Sequence, residues 1–342
     1  MGVRPWLWLS PGLAHKVSPK ILRGLNWLGR VTPPVWNSFR WRGLEFPNRL
    51  GIAGGVDKDC ENMAAWWALG AGFIEVGTIT PQPQPGNTEP VVDRNIEHSA
   101  LWNRLGFPSR GVSHAQARLR QLKRPFAAPI FANIGKNATT PLELAHTDYL
   151  QLFTQLNGLV DGFVINISSP NTRGLRDLLK PERLQEFLGN IMTALPKTRP
   201  PVLLKLSPDL TDDELERALQ ISHDLGIDGW VLTNTSQGLR DGLDFPKEGG
   251  VSGKPLASLS RQFLAKTVQI LGPRRAGKLL VSVGGVMSAS DVNERLHLGA
   301  DLVQVYSALI FEGPFFLRKV ARLQRAMHSK ADQCLVPTSQ LL

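Results

Sequence analysis

Among the 342 residues there are only two cysteines, Cys60 and Cys334, far apart in the chain. That scarcity excludes a disulfide framework, and the lack of a Cys-x-x-Cys pair removes a common metal pattern, so the expected compartment is a reducing one. No run of roughly 18 or more apolar residues occurs, which argues against a spanning helix. Pro11 interrupts the short apolar stretch near the start, so no signal peptide is expected, and Trp6 stands where N-myristoylation needs Ser or Thr. The chain also lacks a His-x-x-x-His pair, a Walker-type loop and a Ser/His/Asp nucleophile set. No metal site is expected. The seven histidines fall away from predicted strand ends and read as surface or packing residues.

What is present is a globular composition, 42% hydrophobic and 20% charged, sufficient for a sizeable core. The length exceeds one average domain but suits a (β/α) barrel with extensions. A formal net charge of +10 favours an anionic partner: a phosphate-bearing cofactor, an acidic membrane surface or nucleic acid. Nucleic acid is the weaker reading, because basic residues beyond the N-terminal segment are dispersed and no RNA-binding motif is present.

The first 47 residues differ from the rest. They hold five of nine tryptophans (Trp6, Trp8, Trp27, Trp36, Trp41) and seven Lys or Arg against one acid, Glu45. Between Val17 and Val31, the residues Val17, Ile21, Leu25 and Leu28 share one helical face, with Lys16, Arg23, Asn26 and Arg30 opposite. Low hydrophobicity, a basic face and boundary tryptophans predict a helix lying on a membrane surface. The plain alternative is a helical cap on the main domain, with Gly24 and Gly29 weakening any helix.

From about Leu50 the chain alternates strand-like and helix-like segments. Strands are expected at 50–55, 73–80, 129–135, 162–168, 201–207, 229–235, 278–285 and 302–310. Helical patterns fall near 60–69, 110–122, 147–157, 181–195, 211–225, 258–271, 288–298 and 314–327. Thr211 and Glu214 form a capping box, and Pro181 suits a first helical turn. Eight strands each followed by a helix predict an α/β fold, a closed (β/α)8 TIM barrel with a small N-terminal helical extension. Residues 81–109 are expected to add a hairpin over the barrel top, and the Gly- and charge-rich stretch 236–257 a lid. The expected division is an extension over 1–42, a barrel over 43–330 and a tail over 331–342.

Barrel chemistry belongs to the strand C-termini. In order these read Ala53-Gly54-Gly55-Val56-Asp57-Lys58, Gly77-Thr78, Asn133 to Asn137, Asn166 to Thr172, Lys205, Thr233-Asn234-Thr235, Gly284-Gly285 and Tyr306-Ser307. Strands seven and eight, with Gly249 to Gly253, have the character of a phosphate cradle, where glycine lets backbone N–H groups approach closely. Carboxamides recur at Asn103, Asn133, Asn166, Asn171 and Asn234. Each offers a donor and an acceptor, which matches a small ring of alternating N–H and C=O. These patterns imply a phosphate-bearing cofactor and a polar ring, not redox chemistry by themselves; a phosphate-sugar isomerase stays open at this point.

Six ordered motifs narrow the choice: Gly55-Val-Asp-Lys-Asp59, Asn103-Arg-Leu-Gly-Phe107, Asn133-Ile-Gly-Lys-Asn137, Asn166-Ile-Ser-Ser-Pro-Asn-Thr172, Gly249-Gly-Val-Ser-Gly-Lys-Pro255 and Val305-Tyr-Ser307. Together, over about residues 43–320, the chain resembles class 2, quinone-dependent dihydroorotate dehydrogenases. The resemblance implies an FMN-containing barrel that oxidises (S)-dihydroorotate to orotate in pyrimidine synthesis. Position by position, it implies FMN contacts at Gly54, Gly55, Val56, Asp57, Lys58, Thr78, Asn133, Asn166, Lys205, Thr233, Gly253, Gly285, Tyr306 and Ser307. Substrate contacts are implied at Lys58, Asn103, Arg104, Leu105, Gly106, Phe107, Asn166, Asn171, Asn234 and Thr235. Ser169 matches the class 2 catalytic base, where class 1 enzymes carry cysteine, and Lys205 would stabilise charge on the flavin. The chain departs from the family pattern at Pro108-Ser109, which replaces a more usual Asn-containing pair and bears on local loop shape.

The N-terminal segment is similar in placement to the quinone-guiding extension of class 2. It implies a membrane quinone as acceptor and peripheral contact with an anionic membrane surface through residues 1–42. The absence of a long presequence favours the cytoplasmic face of a bacterial inner membrane over the mitochondrial inner membrane. A soluble class 1 enzyme using fumarate or NAD is the near rival, opposed by Ser169 and by the extension. A non-catalytic membrane flavoprotein is opposed by Ser169 and Lys205.

Overall fold

The computed structural model describes residues 4–25 and 32–334. At its centre eight parallel strands close on themselves: β3 (Leu50–Asp57), β4 (Ile74–Ile79), β7 (Ile130–Ile134), β8 (Gly162–Asn166), β9 (Val202–Leu206), β10 (Gly229–Leu232), β12 (Leu279–Val283) and β13 (Leu302–Val305). They neighbour one another in chain order, and the ring closes where Val303 pairs with Leu50. This is the expected (β/α)8 barrel. Most strands are short aliphatic runs buried on both faces, as barrel strands between an inner core and a helical shell must be.

Alternation along each strand sorts the side chains into two cores. Ile74, Val76, Ile130, Ala132, Leu204 and Val303 face the helices. Those helices are α2 (Met63–Leu69), α3 (Val112–Leu119), α4 (Ala145–Leu156), α5 (Pro181–Ala194), α6 (Asp212–Asp224), α7 (Leu256–Leu271) and α8 (Ala289–His297), with α9 (Ser307–Phe311) and α10 (Phe316–Cys334) after β13. Phe73, Phe131, Val164, Leu203, Val231 and Val281 form the second core, in the barrel interior. The capping box at Thr211 and Glu214 forms reciprocally, and Pro181 opens its helix.

A hairpin closes the lower end of the interior. Strands β1 (Phe39–Trp41) and β2 (Leu44–Phe46) are joined by Arg42 and Gly43, both at positive φ (47° and 77°). A two-residue hairpin loop of this kind needs that conformation to match strand twist, and Gly43 supplies it without strain. Arg42 is held there by Asp228 at 2.6 Å. Phe46 lies 5.9 Å from Phe73 and 6.4 Å from Phe131, ring centre to ring centre, and Trp41 Nε1 donates to the Gly277 carbonyl at 3.0 Å.

At the other end, β5 (Val92–Asn95), β6 (Ala100–Asn103) and β11 (Gly250–Gly253) make a three-stranded antiparallel sheet. The first two are the hairpin expected within 81–109. The third lies within 236–257, the stretch expected to form a lid. Its end is locked as a strand, Gly250 opposite Asn103 through Gly253 opposite Ala100, because an unpaired edge of β6 accepts a second partner.

Two boundaries also shift. The eighth strand stops at Val305, and Ala308 to Phe311 turn into α9. A short apolar run does not distinguish a buried strand from a buried helix. The N-terminal helix α1 spans Pro11–Leu25, earlier than the 17–31 pattern, with Pro19 inside it. Val17 and Ile21 lie on it, while Asn26, Trp27, Leu28, Gly29 and Arg30 lie outside the described residues.

Candidate active site

A cavity opens at the C-terminal ends of the barrel strands, where barrels of this kind place their sites. Its inner end is polar. Glu75 of β4 is fully buried; its Oε1 accepts Lys205 Nζ at 3.0 Å and Asn133 Nδ2 at 2.5 Å, and its Oε2 accepts Gln304 Nε2 at 2.7 Å. Thr78 Oγ1 donates to Asn133 Oδ1 at 2.6 Å, and Asn166 Nδ2 donates to the same oxygen at 3.1 Å. A buried ion pair is stable only when its remaining hydrogen-bonding sites are filled, and here the amides fill them.

The segment after β8 forms one wall. Tyr149 of α4 donates to the Asn166 carbonyl at 3.0 Å, fixing where the strand ends. Ser169 is buried, lines the cavity, and accepts the Asn171 N–H on Oγ at 3.2 Å. Asn171 Nδ2 donates to Asn103 Oδ1 at 2.7 Å, bringing the β6 loop against this wall. Arg176 buttresses it from behind: Nε donates to the Ser168 carbonyl at 2.9 Å, Nη2 to the Thr235 carbonyl at 3.0 Å, and Nη1 to Asp209 at 2.7 Å.

Lys58 supplies a cation at the mouth. Burial pulls its pKa down to about 8 against the opposing pull of Asp59 and Asp57. Its Nζ lies 3.2 Å from His15 Nε2 of α1. His15 falls to about 4, chiefly because of the Lys58 charge and then burial. The extension is tied down further by Arg4 to Glu312 at 2.7 Å, Trp6 Nε1 to the Ile310 carbonyl at 2.7 Å, and Arg94 to the Leu7 carbonyl at 2.7 Å.

The cavity gathers most of the expected residues. Gly54, Gly55, Lys58, Thr78, Asn166, Lys205 and Thr233 line it from the ends of five strands, and Gly285, Tyr306 and Ser307 line it from the last two. Asn103, Leu105, Gly106, Phe107, Asn171, Asn234 and Thr235, expected at the substrate, and Ser169 line it as well. Asn133 lies one layer below, behind Thr78 and Asn166. Val56, Asp57, Arg104 and Gly253 are not among the lining residues. Asp57 is buried and its carboxylate accepts the N–H groups of Glu61 and Asn62 at 2.9 and 2.8 Å. Arg104 turns outward to Glu248 and the Thr88 carbonyl. Gly253 packs on the Ser99 carbonyl, 2.2 Å from where a Cβ would stand.

Glu75, Gln304 and Arg176 escape sequence reasoning. Glu75 and Gln304 sit inside strands rather than at their ends, and Arg176 sits in a loop where a guanidinium reads as surface. The only signal for the first two was a polar residue in an otherwise apolar strand. Pro108-Ser109 settles the β6 loop: Ser109 pairs with Gln84 through both backbone groups, and its Oγ accepts the Thr80 and Gly111 N–H groups at 3.3 and 3.1 Å.

The residues fit a flavin phosphate and a flat polar ring. Gly285 has φ +69°, and a Cβ there would stand 2.4 Å from the Ala257 backbone at the start of α7, so only glycine brings this turn so near a helix N-terminus. Ser252 Oγ and Ser307 Oγ, 3.3 Å apart, add hydroxyls beside it. Three buried polar atoms that line the cavity have no protein partner: Asn171 Oδ1, Thr235 Oγ1 and Gln304 Oε1. Orphans of this kind call for a ligand, since an unpaired buried acceptor is costly. Among the described residues no group of His, Cys, Asp and Glu could hold a metal ion.

A family model for dihydroorotate dehydrogenase matches residues 38–327. The chain is 44% identical over 282 residues to the dihydroorotate dehydrogenase (quinone) of Thermus thermophilus, covering 81% of this chain and 79% of that one. It is 40% identical over 332 residues to the enzyme of the same name from Dichelobacter nodosus, covering 94% and 97%. Ligand-free DHODH from Eimeria tenella superposes with a TM-score of 0.83 at 30% identity, covering 94% of this chain and 96% of that one. The barrel, the ordered motifs that meet in its mouth, and these likenesses agree: the chain belongs to the dihydroorotate dehydrogenase family.

Proposed function

We propose that this protein oxidises (S)-dihydroorotate to orotate in pyrimidine biosynthesis, with FMN as its redox cofactor and a membrane quinone as electron acceptor. The observation that carries the reading is the convergence of Lys58, Ser169, Lys205 and four asparagines on one cavity. The family is flavin-dependent, and FMN, when bound, supplies the hydride acceptor. Gly54, Gly55, Gly285, Tyr306 and Ser307 would hold it, with Thr78, Asn166, Lys205 and Thr233 along the ring.

Lys58 holds the substrate carboxylate as a charge-assisted donor. Asn103, Asn166, Asn171 and Asn234 fix the ring plane, which turns a collision into an oriented encounter. Ser169 accepts the proton leaving one ring carbon as hydride departs from its neighbour. A serine hydroxyl is a weak base, so its own proton must move on, through Thr172, whose Oγ1 is buried and unpartnered, or through solvent. Lys205 keeps a positive charge where negative charge develops.

For the second half-reaction, the N-terminal segment ahead of the β1–β2 hairpin would bring the cavity to the bilayer; the hairpin, which holds residues 39–42 of the expected 1–42 extension, belongs to the barrel's lower end. No helix among the described residues is long and apolar enough to cross a membrane. Trp8, Leu13 and Ile21 are exposed (79%, 49% and 64%), with Lys16 and Lys20 beside them. That pattern suits an amphipathic segment lying on an anionic surface. The proposed location is the cytoplasmic face of a bacterial inner membrane. The decisive experiment is anaerobic addition of dihydroorotate to the purified yellow protein. Bleaching of the flavin band, reversed by quinone, is expected; a colourless protein that takes up no FMN would end this reading.

A further inference from the structure

Glu75 can only accept hydrogen bonds, and that fact orders the groups around it. A carboxylate offers no proton, so Asn133 and Gln304 must both turn their NH2 groups towards it, at 2.5 and 2.7 Å. The constraint then passes outward. Asn133 Oδ1 is left to accept from Thr78 Oγ1 and Asn166 Nδ2. Asn166 Oδ1 accepts from Asn234 Nδ2 at 3.3 Å, and Asn234 Oδ1 from the Thr235 N–H at 2.8 Å. On the other side, Gln304 Oε1 is left as a buried acceptor in the cavity without a protein partner.

We propose that Glu75 is a positioning residue that sets the hydrogen-bond polarity of the whole site. It holds Lys205 as a cationic donor, presents Gln304 Oε1 to the flavin as an acceptor, and runs Asn133, Asn166 and Asn234 as a one-way relay to the substrate ring. This rests on the flavin and orotate reading above. Burying a carboxylate in a barrel costs solvation, and packing alone does not account for it, because an aliphatic residue fills that space as well. What an aliphatic residue cannot do is choose which end of each amide faces the ligand.

The test compares FMN-loaded wild type, E75Q and the double variant E75Q/N133D as full chains. In E75Q an amide donor meets amide donors, so the relay can invert, and Lys205 loses its counter-charge. Orotate affinity, read from its perturbation of the flavin spectrum, should fall about tenfold, the scale of one mis-set buried hydrogen bond. The oxidised–reduced equilibrium of the flavin should move about tenfold towards the reduced form, an upward shift of about 30 mV for two electrons. The double variant moves the anion one step along the relay. The new carboxylate at position 133 accepts from the new amide at 75, still accepts from Thr78 and Asn166, and replaces the lost counter-charge of Lys205, which shares Glu75 Oε1 with Asn133 in the wild type, so orotate affinity should recover.

A role in packing alone predicts no change in potential and no recovery. Unchanged affinity and potential in E75Q, or a double variant no better than E75Q, overturns the proposal. Should E75Q not fold, the double variant decides alone: near wild-type orotate affinity supports the proposal and failure to bind overturns it. Wild type that takes up no FMN would instead sink the functional reading itself, so the two failures are distinguishable.

Discussion

Lys58 Nζ and His15 Nε2 stand 3.2 Å apart, which joins the N-terminal helix to the cation at the cavity mouth. An ammonium only donates, so the imidazole must accept on Nε2 and stay neutral. Docking of α1 is therefore coupled to the protonation of His15, whose pKa is lowered from 6.5 to about 4. Above about 6.5 the ring is neutral whether docked or free. As pH falls from 6.5 towards 4 the undocked helix takes up a proton that the docked one refuses, so docking weakens across that window. Protection of the amides of residues 11–25 against exchange, relative to the intrinsic rate at each pH, should fall between pH 7 and pH 5 in wild type and change less in H15Q. An equal loss of protection in both proteins removes His15 as the cause.

Lys58 gives the opposite limb. With its pKa lowered from 10.5 to about 8, the free site loses its positive charge as pH rises through 8. Orotate affinity should hold below that value and decline above it, with one proton taken up per ligand bound. Lys58→Met should weaken orotate by roughly 10–100-fold, the scale of a hydrogen bond to a charged group, and abolish the pH dependence. Calorimetry in two buffers of different ionisation enthalpy measures the proton uptake directly, and none at pH 9 rejects the assignment.

Ser169→Ala should retain FMN yet slow flavin reduction by dihydroorotate by about 10²–10⁴-fold, the usual contribution of a positioned proton acceptor. Stopped-flow single turnovers provide the measurement, and near-normal reduction excludes Ser169.

Arg176→Met removes donors to the Ser168 and Thr235 carbonyls and to Asp209. The two loops it joins carry Ser169 and Asn234, so orotate binding should weaken by about 1–3 kcal/mol while flavin content stays. If thermal stability drops and orotate affinity does not, the residue is a strut for the fold and nothing more.

Truncation should spare the barrel only if it ends before residue 32, because Asn48 Nδ2 donates to the Pro34 carbonyl at 2.9 Å and Phe46 fills the barrel interior. Removing residues 1–31 is expected to leave bleaching by dihydroorotate intact while liposome binding and quinone turnover fall to background. Quinone turnover that survives the cut would detach the extension from the second half-reaction.

The sequence by itself was enough for the barrel, because eight aliphatic runs spaced by amphipathic helices have few other ways to bury both faces. It was also enough to bring most of the named strand-end residues to the lining of one cavity, because polar and glycine-rich tips break the apolar pattern there. The β11 strand was not legible, since a Gly-rich stretch becomes a strand only when β6 lies open beside it. Nor were Glu75 and Gln304, which sit 229 positions apart and meet at 2.7 Å. A lone charge within a strand acquires meaning only from the partners that closure of the ring brings to it. Local pattern reflects which side chains seek water; which donor faces which acceptor is decided in three dimensions.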